Sequence, residues 1–176
     1  MDPLRFPIGT FQRPSIIQAR DRFRWMRSVQ QFPQQLQHTV AGIDEATLNT
    51  CYRPGGWTIR QVIHHCADSH MNSFIRMKLA LTEINPSIKP YQEANWAELA
   101  DSIDYPIEPS LILLNALHTR WVALLESLSE AQWQMTYYHP GNHHEVTLEE
   151  HVGIYAWHGE HHLAHIQSAI HNSAII

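Results

Sequence analysis

Apolar residues recur at three- and four-residue steps through four long stretches of the chain. From Ser15 to about Val40 they are Ile16, Ile17, Phe23, Met26, Val29, Phe32 and Leu36, the spacing of one buried helical stripe. Pro33 lies inside this run, where its missing N–H and its ring are expected to kink the helix or end one segment of it. A short helix or turn over 43–49 and a loop of breakers, Arg53-Pro54-Gly55-Gly56, come next. The second long helix is predicted to open at Thr58, which forms a capping box with Gln61, and to run to about Glu83. Its stripe is Ile59, Val62, Ile63, Cys66, Phe74, Met77 and Leu81. The third spans about Ser110 to Leu128, with Leu111, Leu114, Leu117, Trp121, Leu124 and Leu128 on one side. Thr147 and Glu150 make a second capping box, opening a last helix that reaches about His171.

The connections are long. Residues 85–109 carry Pro86, Pro90, Pro106 and Pro109, with a short helix expected around Trp96 to Leu99; a connection of this length is expected to cover something. The stretch YYHPGNHHEV reads as irregular, and no convincing strand pair is visible. The pattern therefore predicts an all-α fold, a four-helix bundle with long crossover connections, as a single domain over 1–176. The first 15 or so residues, with Pro3, Pro7, Gly9 and Pro14, read as an extended arm. That arm, and the tryptophans outside the helices, could pack against a second copy.

Composition narrows the function more than the fold. The chain of 176 residues is 44% apolar and 16% charged, which describes a folded globule. A net charge of −5, with basic residues scattered rather than clustered, argues against nucleic acid as a partner. No apolar run approaches the ~18 residues of a membrane span, and no secretory signal is visible, so a soluble cytoplasmic protein is expected. Two cysteines make no disulfide framework, and Cys66 reads as a small buried thiol.

Histidine changes the picture. There are 14, interspersed with apolar residues rather than gathered in a tag. On the last helix His151, His158, His162 and His165 share a stripe, with His161 to its side. His158 and His162, four residues apart, can present two imidazoles to one ion. One ion cannot use the whole stripe, so His151 and His165 are read as half-buried residues bonded to neighbours. A third ligand must come from elsewhere, and the second helix offers "VIHHCADSH". Beside its apolar stripe runs a polar one, His65, Ser69, Asn72 and Arg76. His65 sits at the edge of the core face, His70 nearer the centre of the apolar stripe, and His64 farther round and exposed; periodicity leaves His65 and His70 both open. Arg76 suits an anionic substrate group, with Asn72 beside it. Asp68, one turn from His65, could orient that ring. A di-iron bundle would need Glu-x-x-His pairs, and there are none; the zincin pattern H-E-x-x-H is absent as well.

The segments "GGWTIRQVIHHCADSHMNSFIRMKLALTE", "YYHP" and "YAWHGEHHLAHI", with the "FPIG" of the arm, resemble the DinB-like superfamily, and more closely its YfiT-type metal-dependent hydrolases of bacilli. The resemblance spans nearly the whole chain. It implies a four-helix bundle holding one divalent metal, zinc or nickel, on three histidines, His65, His158 and His162, in a homodimer. It also places His65 above His70. Close relatives have Ser-His where this chain has Gly159-Glu160; Glu160 projects away from the His158 side, so the metal site is expected to survive.

Three imidazoles leave open positions on a divalent ion, which lowers the pKa of bound water toward about 7. A metal-dependent hydrolase acting on a small molecule is the first reading. The resemblance also implies an alternative, an S-transferase using a low-molecular-weight thiol such as bacillithiol, with the ion lowering the thiol's pKa. A non-catalytic, metal-binding stress-response bundle is the third; a fourth protein ligand, His165 or His151, would favour it.

Overall fold

In the computed structural model, which describes residues 2–173, four long helices form the bundle: α1 (Ala19–Thr39), α3 (Ile59–Thr82), α6 (Glu108–Glu126) and α8 (Leu148–Ser173). Between them lie the short helices α2 (Glu45–Leu48), α4 (Glu93–Trp96), α5 (Ala100–Ile103) and α7 (Glu130–Trp133), and the strands β1 (Thr136–His139) and β2 (His144–Thr147). The Thr58–Gln61 capping box opens α3 as predicted. At α8 only half of the expected box forms. Thr147 Oγ1 accepts from the Glu150 amide, but the Glu150 carboxylate is drawn off by Arg13 at 2.9 Å and His144 at 3.4 Å.

α1 packs against α6 and α8, and α3 packs against the same two helices, so α1 and α3 stand on opposite corners. Contacts fix the directions. His70 meets His158 while Ser73 meets His151, so α3 and α8 are antiparallel. His70 meets His118 while Met77 meets Trp121, so α3 and α6 are parallel. Parallel neighbours need a connection that returns along the bundle, and residues 83–107 provide it. On the way back Ile88 pairs with Tyr138, the Ala97 carbonyl accepts from Gln61, and that of Tyr105 accepts from Arg60. The short helix expected at Trp96–Leu99 is replaced by α4 and α5 on either side of it.

Three further expectations need correction. β1 and β2 do pair, antiparallel, with Tyr137 opposite Val146. Four-residue strands with one buried residue each show too little alternation to be read from sequence. Pro33 does not end α1, which continues through it. Its missing N–H frees the carbonyl of Val29, four residues back, and His118 Nδ1 lies 2.6 Å from that oxygen. Ile16 and Phe23 are exposed rather than core; Trp25 takes the inward position.

The arm lies on its own chain. Arg13 pairs with Glu150, Trp157 Nε1 donates to the Gly9 carbonyl at 3.1 Å, and His165 Nε2 lies 3.2 Å from the Arg5 carbonyl, so the arm runs back along α8. Among the described residues no helix is long and apolar enough to cross a membrane.

Two apolar clusters fill the bundle, one around Trp25, Val29, Trp121 and Leu125, the other around Phe32, Leu36, Ile63, Leu114 and Ile166. A layer of histidines lies between them, with Phe32 against the rings of His70 and His118. Phe32 fits because position 159 is glycine: a Cβ there would stand 2.9 Å from its ring. The other half of the Gly159-Glu160 departure is benign, since Glu160 faces outward and accepts from Ser28 at 2.7 Å. A Gly159→Ala variant should therefore gain about 1 kcal/mol of helix propensity and lose about 1–3 kcal/mol to overpacking. A urea midpoint lower than wild type is expected; an unchanged or higher one would show that Phe32 yields freely.

Candidate metal centre

α3 and α8 face each other across the histidine layer and bring together His65, His158 and His162, each offering a ring nitrogen within 4.8 Å of the others. Among the described residues this is the one group of three or more His, Cys, Asp or Glu side chains so arranged. His65 and His162 are buried and His158 is half-buried. Burial holds His65 down at about 4, and holds His158 and His162 well below the ordinary imidazole range, with the neighbouring histidines adding to it. All three are neutral at pH 7, the form that offers a lone pair.

A neutral imidazole has one N–H, so its hydrogen bonds determine which nitrogen is free. The Val29 carbonyl can only accept, so His118 donates to it from Nδ1 and accepts at Nε2. His70 Nδ1 therefore donates to His118 Nε2 at 2.7 Å, and His70 Nε2 accepts from His158 Nδ1 at 3.1 Å. His158 is left with its lone pair on Nε2. A second chain acts on His162. The Arg5 carbonyl accepts from His165 Nε2, and His165 Nδ1 accepts from His162 Nδ1 at a long 3.5 Å, leaving His162 Nε2 free. Both chains end on main-chain carbonyls, one of them the oxygen that Pro33 frees.

His158 Nε2 and His65 Nε2 are 3.2 Å apart. One proton or one cation can join two nitrogens at that distance. With each nitrogen about 2.05 Å from a shared ion, 3.2 Å corresponds to an angle of about 103°, between the octahedral and tetrahedral values. The residues present fit a divalent metal.

The remaining expectations divide. His70 and His165 hydrogen-bond to members of the trio rather than joining it. His151 is held by Ser73 Oγ at 2.6 Å and Tyr137 Oη at 2.8 Å and is not part of the trio. His64 is buried, not exposed, because α6 and the returning crossover cover it: Ser110 Oγ lies 2.8 Å from Nδ1 and the Tyr105 carbonyl 3.2 Å from Nε2. Asp68 makes no hydrogen bond to His65. It is half-buried, and burial with nearby Asp101 raises its carboxyl to about 6. Asn72 Nδ2 donates to the Asp68 carbonyl and its side chain lines a cavity of about 530 Å³ with Tyr91 and Trp96. Arg76 and Ser69 are both buried. Sequence reasoning passed over His118, although it falls beside Leu117 on the buried side of α6, where a histidine must find polar partners.

The sequence profile of the DinB superfamily matches residues 29–166. The chain belongs to this superfamily. It is 48% identical over 168 residues to a protein of Geobacillus thermodenitrificans, covering 96% of this chain and 94% of that one. It is 49% identical to one of Bacillus mycoides, covering 96% of each. Both are provisionally named metal-dependent hydrolases. The solved structure of YfiT from Bacillus subtilis, described as "a probable metal-dependent hydrolase with an unusual four-helix bundle topology", superposes with a TM-score of 0.95 at 43% identity, covering 98% of each chain. The DinB bundle here thus has the same architecture, and the crossing connections derived above are part of it.

Proposed function

We propose that this DinB protein is a metal-dependent hydrolase of a small molecule, its divalent ion, zinc or nickel, held by His65, His158 and His162. The observation that carries the reading is the pair of hydrogen-bond chains that leave the lone pair on Nε2 of His158 and of His162, with His65 Nε2 3.2 Å from the former. The names of its relatives support hydrolysis as the reaction. A divalent ion bound there supplies Lewis acidity, lowering the pKa of water toward about 7 and polarising a carbonyl oxygen.

The chain's own residues do the rest. Burial keeps the three imidazoles unprotonated, so an ion does not compete with protons near neutral pH. His70 and His165 hold the rings of His158 and His162 in register. Ser69 Oγ, 3.4 Å from His158 Nε2, is a hydroxyl within reach of a group at the centre. Trp57 packs on His65, with ring centroids 4.8 Å apart, and shields that side from water. No fourth histidine or carboxylate joins the trio among the described residues, which favours an open catalytic site over a closed structural one.

The test is a panel of carboxylic esters, amides and lactones, assayed with and without a low-molecular-weight thiol. Turnover without thiol, abolished by chelation and restored by zinc or nickel, is expected. His158→Ala should be inactive while keeping its helical circular dichroism. Conversion that needs the thiol would replace hydrolysis with S-transfer. Turnover indifferent to chelation would refute the metal-dependent reading.

A further inference from the structure

Arg76 is a buried cation, 9% exposed, without an ion-pair partner among the described residues. Its one side-chain partner is the Tyr155 hydroxyl, 3.4 Å from Nη1, and its Nε is buried with no partner at all. Glu93, an exposed residue, is close enough to feel its charge but makes no ion pair with it. Enclosing an unpaired charge is strongly unfavourable, and such groups normally find a partner or serve a ligand.

Two more buried polar atoms are also unpartnered among the described residues, Tyr91 Oη and His139 Nδ1. They come from different parts of the chain. The returning crossover pairs with β1, Ile88 N donating to the Tyr138 carbonyl, and β1 packs on α3; Tyr91 shares a cavity with Asn72, one helical turn from Arg76. The Arg76 charge is felt at His139, Tyr137 and Tyr155. Tyr91 and Tyr155 both neighbour the Ser69 hydroxyl, and Ser69 reaches the centre at His158. A polar path thus leads from the three histidines to Arg76. On the His65 side opens a cavity of about 340 Å³ whose lining includes Arg5, Arg53, Trp57 and Glu93, with Trp57 lying against His65. In a chain of net charge −5, this approach is locally cationic.

We propose that Arg76, with Tyr91 and His139, binds the carboxylate of a substrate whose reacting end lies at the His65–His158–His162 centre. Tyr155 occupies Nη1, which leaves the Nε–Nη2 edge, the fork that meets a planar carboxylate with two parallel hydrogen bonds. Ser69 and Arg76 are two helical turns apart, roughly 10 Å along the axis, and an arginine in a helix leans back toward its N-terminus. The ligand is therefore a small molecule with its carboxylate a few bonds from the cleaved group. The proposal rests on the hydrolase reading for the reacting end only.

Hydroxamates, which chelate an exposed metal, provide the probe. Plain alkyl hydroxamates are compared by titration calorimetry, on metal-loaded protein, with the same chains ending in a carboxylate, roughly two to six methylenes long to span the distance. At the matching length the carboxylate form should bind at least about tenfold more tightly. Arg76→Met should lose that preference while still binding the plain hydroxamate, and Tyr91→Phe should lose part of it. Equal affinities at every length in the wild type, or the full preference surviving in Arg76→Met, would overturn the subsite. If no hydroxamate binds, the metal reading fails and the subsite is judged on the Arg76 Nε–H resonance of the wild-type chain. A saturable shift with acetate upholds it; no shift, or a shift with inorganic phosphate alone, overturns it.

Discussion

A His70→Phe variant is expected to bind a divalent ion about 10- to 100-fold more weakly than wild type, although His70 is not one of the three proposed ligands. His70 Nε2 is the acceptor for His158 Nδ1, and its Nδ1 is the donor to His118. Phenylalanine fills the space but leaves the His158 N–H and the His118 lone pair without partners, each worth about 1–3 kcal/mol when buried. Without its acceptor, His158 can carry its proton on either nitrogen. The population that puts it on Nε2 cannot ligate. Competition against a chromophoric chelator measures the affinity, and long-range proton–nitrogen NMR reads the tautomers. Wild type should show Nδ1–H for His118, His70 and His158. His70→Gln, which can both accept and donate, should recover part of the loss. Affinity equal to wild type in His70→Phe would separate the chain of histidines from the centre.

Acid should unfold the protein in the range where isolated histidines take up protons. Burial holds His118 at about 4 and His151 at about 3, the latter also opposed by the Arg76 charge, against an ordinary value of 6.5. Above pH 6.5 both residues are neutral folded and unfolded, and their contribution to stability is flat. Below it the unfolded chain binds protons that the folded chain refuses, so stability falls with pH until the folded-state values are reached. At pH 4 the two together remove roughly 7 kcal/mol, at about 1.4 kcal/mol per unit and group, out of a total that is commonly about 5–15 kcal/mol. Urea titrations from pH 7.5 to 4 should show the midpoint steady above 6.5 and falling steeply beneath it. His151→Gln, which keeps polar atoms for Ser73 and Tyr137 to meet, should flatten the slope. A stability curve level down to pH 4 would show that these histidines are not held neutral.

The long helices were legible because an apolar stripe repeats at helical spacing whatever surrounds it. The α3 stripe from Ile59 to Met77 is buried where the periodicity places it. The polar stripe beside it was legible for the same reason, and it put His65, Ser69 and Arg76 on one face. What sequence could not show was what covers each face. From sequence His64 reads as exposed because its cover, Tyr105 and Ser110, lies more than forty residues away. His70 competes with His65 as a ligand until its partners are placed, and they come from α6 and α8. Pro33 is the most informative case. Local rules predict a kink or a break, and they are right that Val29 loses its helical donor, but a histidine from α6 replaces it and the helix does not end there. The resemblance to relatives, rather than periodicity, was what separated His65 from His70.

The central claim is that one divalent ion is shared across α3 and α8 by His65, His158 and His162. Elemental analysis tests it most directly, on protein purified without a histidine tag or a nickel column, comparing wild type with His65→Ala and His158→Ala. About one zinc or nickel per chain is expected in wild type, with both variants metal-free yet helical by circular dichroism. Wild type without stoichiometric metal, or His65→Ala retaining it, would contradict the account, and the histidine layer would then stand as packing alone.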